Sequence, residues 1–129
     1  MSNISNTKII TITRGDTFSF PFTINVGSEL YPQRYILSEN SKLYLGVMFP
    51  LYLGVVSPNC NFENAIIKKV FTADSEMNKD GDIIITFNPE DTICLNQAKY
   101  YYEIKLQIIV DGKEEIYTVQ QRQEFWIIE

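Results

Sequence analysis

The sequence predicts an all-β fold, an antiparallel β-sandwich of eight or nine strands with one short helical turn near residues 89–95. Three observations predict it. Apolar residues alternate with polar ones over several runs, most clearly from Thr17 to Asn25 and from Tyr100 to Val110. The aromatic residues are eight Tyr, eight Phe and one Trp, all strand formers. Turn signals rich in Gly, Asn, Asp and Pro separate the runs at spacings that suit a sandwich.

Along the chain, Thr7–Thr13 alternates as a first strand and Arg14-Gly15-Asp16 makes a turn. Phe18, Phe20, Phe22 and Ile24 then share one face of the second strand. Pro21 cannot donate a ladder hydrogen bond, so this strand has a free edge or a bulge there. Residues 26–41 form the longest loop, with a short strand around Tyr35 to Leu37. Ala65–Thr72 is a strand, Ala73–Asp80 a polar loop, and Ile83–Phe87 a further strand. Asn88-Pro89-Glu90-Asp91 starts a helical turn: an N-cap residue, proline at the first helical position, and acids in the first turn. Tyr100–Val110 is the longest strand, Asp111-Gly112 a hairpin turn, and Glu115–Gln120 and Glu124–Ile128 the last two strands.

One domain accounts for the 129 residues, with a flexible N-terminus over 1–7 and a single sandwich over 8–129. A hydrophobic content of 45% supplies its core. Sixteen acids against eleven bases give a net charge of −5, which disfavours nucleic acid and anionic membrane surfaces as partners. The polar first eight residues carry no signal peptide. The longest apolar run, Leu43–Val56, is 14 residues broken by Gly46, Pro50 and Gly54, too short to span a bilayer. The expectation is a soluble product of a cytoplasm, with Cys60 and Cys94 reduced.

The composition argues against most catalytic chemistry. There is no histidine, which removes Ser-His, Cys-His and His-metal arrangements, and there is no glycine-rich phosphate loop. Asp74, Glu76, Asp80 and Asp82 surround one loop but lack calcium-loop spacing, so they are taken as a solvated turn. The expectation is a non-enzyme that uses no cofactor or metal.

Leu43-Tyr-Leu-Gly-Val-Met-Phe-Pro50 is followed directly by Leu51-Tyr-Leu-Gly-Val-Val-Ser-Pro58, identical at six of eight positions. A tandem duplication either extends a hairpin or adds a protruding apolar flap. The flap makes Tyr44, Phe49, Leu51 and Tyr52 a candidate partner surface. Tyr100, at the start of the long strand after the crossover, fits a structural corner in which its hydroxyl bonds the backbone upstream. Immunoglobulin-like sandwiches use a tyrosine in this way.

Gly15-Asp16-Thr17-Phe18, Pro89-Glu90-Asp91-Thr92 and Tyr100-Tyr-Tyr-Glu-Ile104 together resemble the small immunoglobulin-like structural domains of tailed phages, similar to the N-terminal domain of baseplate upper proteins. Leu43-Tyr-Leu-Gly-Val, Pro58-Asn59 and Phe62-Glu63-Asn64-Ala65 resemble the group's central segment, where one Leu-Tyr-x-Gly-Val unit is usual and this chain has two. The resemblance covers roughly residues 8 to 128. It implies an immunoglobulin-like fold and a virion component made in the bacterial host cytoplasm. That component would be a homo-oligomer assembling with other virion proteins in a baseplate, tail, collar or head decoration. A carbohydrate-binding module for host attachment is the alternative.

Overall fold

The computed structural model describes residues 3–4, 8–27, 30–31, 33–49 and 65–129. Ten strands and one helical turn occur among them. In chain order these are β1 (Asn3–Ile4), β2 (Ile10–Thr13), β3 (Phe18–Phe22), β4 (Ile24–Asn25), β5 (Arg34–Tyr35), β6 (Ser41–Met48), β7 (Ile67–Phe71), β8 (Ile83–Phe87), α1 (Pro89–Thr92), β9 (Ala98–Val110) and β10 (Lys113–Ile128). The second Leu-Tyr-Leu-Gly-Val copy lies outside the described residues.

The chain is mostly β. Six strands form one sheet in the order β1-β2-β10-β9-β6-β7, which curls as a half-barrel. The ribbon β3-β8 shares one core with it, and β4-β5 form a small separate hairpin. Alternation decides which side chains enter the core. Leu43, Leu45 and Val47 of β6, Tyr100, Tyr102, Ile104 and Leu106 of β9, and Phe125 and Ile127 of β10 all point inward, each 3% exposed or less. Phe20 and Phe22 of β3 and Ile83, Ile85 and Phe87 of β8 meet them from the ribbon.

The structure departs from the sequence-based expectation in four places. The Thr17–Asn25 run is two strands, β3 and β4, because the chain leaves the ribbon at Thr23 to pair with β5. The pairing is not wholly antiparallel: β2 lies parallel to β10, with Ile10 opposite Phe125 and Thr13 opposite Ile128. The two final strands are one, β10, paired with β9 along nearly its whole length. Register shifts between Thr118 and Gln120 and between Gln120 and Gln123 absorb the extra residues there. A polar Gln-Gln-Arg-Gln run therefore passes for a turn in sequence while its backbone stays in the ladder. Asn3–Ile4, within the segment read as a flexible terminus, pair with β2 as β1.

Among the described residues, connections gather at two ends of the body. At the lower end are the β2–β3 turn, α1 and the start of β9. Gly15 takes φ +82° in that turn, a conformation that favours glycine, and an added Cβ would stand 2.9 Å from Ile93 Cδ1, which would have to turn aside. Its N–H donates to Thr92 Oγ1 at 2.9 Å, which ties the turn to the helix. At the upper end are the segments around β4–β5, the 72–82 loop and the β9–β10 tip. Asp111 and Gly112 both have positive φ there, as a two-residue type I′ turn demands.

Three open edges carry devices that discourage pairing with another chain. Among the described residues β3 pairs only with β8, and Pro21 leaves its free side short of a donor. The outer strand β7 carries Lys68 and Lys69, the latter turned inward to Asp91. The edge of β10 is interrupted by its two bulges.

Candidate interaction surface

Tyr44 and Phe49, two of the four residues proposed from sequence as a partner surface, point to opposite sides of β6. Tyr44 is half-buried on the outer face of the six-stranded sheet, and its hydroxyl donates to Gln107 Oε1 at 3.2 Å. Phe49 follows β6 at the lower end, where its exposed ring lies 5.9 Å from that of Tyr100. They stand five positions apart along a strand of period two, so they do not form one patch. Leu51 and Tyr52 lie outside the described residues.

Tyr100 is buried, and its hydroxyl donates to the Asn96 carbonyl at 2.8 Å. The bond holds the start of β9 against the crossover from α1. Tyr100→Phe is expected to lower stability by about 1 kcal/mol, because a buried acceptor loses its donor while the packing stays. A urea unfolding midpoint equal to wild type would show that the bond contributes nothing.

The candidate chemistry of the acidic loop resolves into turn architecture. Asn78 Oδ1 accepts the backbone N–H of Asp80 at 2.9 Å and of Asp82 at 3.0 Å, while its amide donates to Asp82 Oδ2 at 3.1 Å. Thr23 donates to Asp82 Oδ1 at 2.8 Å, and Arg34 pairs with the same oxygen at 2.5 Å. Among the described residues no group of three or more His, Cys, Asp or Glu is placed to hold a metal ion. Cys94 is an exposed free thiol, and Cys60 lies outside the described residues.

The Asn78 amide, then the Thr23 hydroxyl, with Arg34 beside them, hold the Asp82 carboxyl below its ordinary 3.8, while burial opposes them. A depressed carboxyl pKa stabilises the fold above the unfolded value and loses that contribution as pH falls through the folded one. Acid titration of the unfolding midpoint below about pH 4 is expected to fall less steeply in Asp82→Asn than in wild type. Parallel curves would remove Asp82 from the acid response.

The exposed apolar side chains are unevenly placed. Among the described residues eleven large ones are exposed, and seven belong to the upper end: Leu30, Tyr31, Ile36, Ile109, Val110, Ile116 and Tyr117, from 40% (Tyr117) to 84% (Leu30). The topology explains the concentration. β6 stops with Ser41 opposite Ile108, while the β9–β10 hairpin continues beyond it. Two contacts join the loops there. Ile109 N–H donates to the Asn40 carbonyl at 2.9 Å, and Arg34 donates to the Asp80 carbonyl. The sequence showed these side chains only as scattered loop and strand residues; their common end becomes visible once strand directions are known.

Charge is segregated the same way. Described residues of 23–40, 72–82 and 109–118 carry eight carboxylates, among them Asp80, Asp82, Asp111, Glu114 and Glu115, against Arg34, Lys79 and Lys113. The outer face of the six-stranded sheet carries Lys42, Lys68, Lys99 and Lys105 against Glu103, Glu114 and Glu124. On that face the Lys99 ammonium lies 5.6 Å from the Tyr101 ring centre and 5.8 Å from that of Trp126.

A cavity of about 230 Å³ opens beside β3, lined in part by Lys8, Phe20, Phe22, Tyr102 and Gln120. Burial pushes the Tyr102 phenol up, and its hydroxyl donates to the Lys8 carbonyl. Both features fit a core residue fastening the segment before β2, and they bring no nucleophile and base together.

Comparison with known protein families, curated proteins and solved structures finds no match to this chain. No helix among the described residues is long and apolar enough to cross a membrane.

Proposed function

We propose that this chain is a phage virion structural protein, a non-catalytic immunoglobulin-like module that assembles with other proteins through its upper end. The observation that carries the assembly reading is that, among the described residues, seven of eleven exposed large apolar side chains belong to that end. The phage setting rests on the resemblance of Gly15–Phe18, Pro89–Thr92 and Tyr100–Ile104 to tailed-phage structural domains.

Strand order supports the immunoglobulin-like part. The row β10-β9-β6-β7 corresponds to the G-F-C-C′ strands of a variable-type sheet, and β3-β8 to the B-E pair of the facing one. Tyr100 stands where such domains place their corner tyrosine. Tyr102, two residues on, takes the position of their second cysteine. Its buried ring lies beside Phe20 and Phe22 of β3 at the cavity and 6.3 Å from that of Phe125.

Four of the aromatic rings are poorly placed for sugar stacking: Tyr100 and Tyr102 are buried, and the Lys99 ammonium sits over the Tyr101 and Trp126 rings. Light scattering is expected to find an oligomer that Ile109→Asp/Ile116→Asp dissociates without unfolding, since each new carboxylate lies in the apolar contact. An oligomer unchanged in the double variant, or a monomeric wild type retained on a glycan column, overturns the reading.

A further inference from the structure

We propose that the second Leu-Tyr-Leu-Gly-Val copy can replace the first in β6 by an eight-residue slip of the chain, giving the fold two registers. The inference goes beyond the assembly reading and stands without it. The first copy, Leu43–Val47, lies inside the six-stranded sheet between β9 and β7. Leu43, Leu45 and Val47 are fully buried, the Tyr44 hydroxyl donates to Gln107, and Gly46 stands between Glu103 and Lys68. Leu51-Tyr-Leu-Gly-Val55 supplies the same five residues in the same order. Side chains alternate with period two, so a shift by an even number keeps the apolar set on the core face. Residues 57–66 then join β6 to β7, more than the roughly two to five residues of an ordinary hairpin loop.

The flanking residues decide which register dominates. Ser41 is buried and its hydroxyl accepts the Ser38 N–H at 2.8 Å, whereas the slip puts Phe49 in that place. Lys42 lies opposite Gln107, and there the slip puts Pro50, which has no N–H for a ladder. The contact of the Phe49 ring with Tyr100 at 5.9 Å is also given up. Each difference favours the first copy, so the slipped register is the minor state. It lengthens the β5–β6 connection at the upper end and shortens the β6–β7 connection at the lower end. Leu43–Val47 thereby passes to the end that the assembly reading assigns to a partner. A partner that holds this segment there selects the slipped register.

Leu43→Ser/Leu45→Ser in the full chain tests the slip. With one register it places two hydroxyls in the core and unfolds the protein. With two, the second copy takes the strand, and circular dichroism still shows a sheet. NMR is then expected to find Gly54, in place of Gly46, beside Glu103 and Lys68. Leu51→Ser/Leu53→Ser should leave the urea midpoint of wild type unchanged, and all four replacements together should unfold the chain. Phe49 and Pro50 hinder the slipped strand, so the first-copy variant is also made with Phe49→Ser/Pro50→Lys. That gives the second copy the Ser-Lys lead of the first, and its midpoint should exceed that of the first-copy variant alone.

Unfolding of the first-copy variant both with and without that lead overturns the slip. So does a folded variant in which Gly46 keeps its neighbours. A second-copy variant destabilised as much as the first-copy one shows both copies built into one fold, and the slip fails. Folding only as a dimer in sedimentation velocity assigns the second copy to exchange between chains and overturns a slip within one. The assembly reading is untouched by these outcomes, because Ile109→Asp/Ile116→Asp tests it separately.

Discussion

Replacing Phe125 by alanine is expected to lower stability by about 3–5 kcal/mol, the range for deleting a buried aromatic ring from a packed core. Phe125 is fully buried on β10 and stands between the two layers. Its ring meets Phe87 of the ribbon edge-on at 5.2 Å and Tyr102 of its own sheet at 6.3 Å. Truncation removes the dispersion contacts of all three rings and leaves a void that the β10–β9 and β10–β2 ladders keep from collapsing. Urea denaturation measures the loss. A change under about 1 kcal/mol would mean that the sheet and the ribbon do not depend on this contact.

Asp91→Ala is the second large effect, about 2–4 kcal/mol, because one carboxylate holds two elements. Asp91 Oδ2 accepts the Asn88 backbone N–H at 2.7 Å, closing the start of α1. The same oxygen lies 2.6 Å from Lys69 Nζ, with both side chains only 18% exposed. Alanine leaves an ammonium with little water and no counter-charge beside the Phe87 ring, 5.8 Å from its centre. The reason for the loss can be separated by a cycle with Lys69→Met, which removes the ammonium and keeps the stem's packing. Lys69→Met alone is expected to cost less than Asp91→Ala, and the double variant should recover part of the loss. Additive losses would show that the ion pair contributes nothing beyond the helix start.

The N-cap explanation of Asp91 was available from Asn88-Pro89-Glu90-Asp91 alone, since every partner in it lies within four residues. The Lys69 partner was not, because the ion pair spans 22 positions and depends on which edge of the sheet folds over α1. Alternation along Ile67, Lys69 and Phe71 did put Lys69 on the inward face. Period alone cannot say that a carboxylate waits there. The β10 bulges show a different limit: each adds a residue without breaking the ladder, which shifts the period from Tyr117 to Gln120 and again to Gln123. A strict search for alternation therefore splits one strand into two.

The candidate surface shows the same division. Doubled Leu-Tyr-Leu-Gly-Val motifs drew attention to Tyr44 and Phe49, yet β6 turns them to opposite sides. Ile109 and Ile116 carry no local signal, and only the β9–β10 register shows them on one face of the hairpin.

By itself the sequence determined the β character, the inward face of each long strand, the helix start and the hairpin turn at Asp111-Gly112. These depend on backbone periods and on residues only a few positions apart. Tertiary structure alone decided the parallel β2–β10 pair, the reach of Lys69 to Asp91, and the gathering of carboxylates from three segments at the upper end. Those depend on strand order and direction, which join residues that share no local pattern.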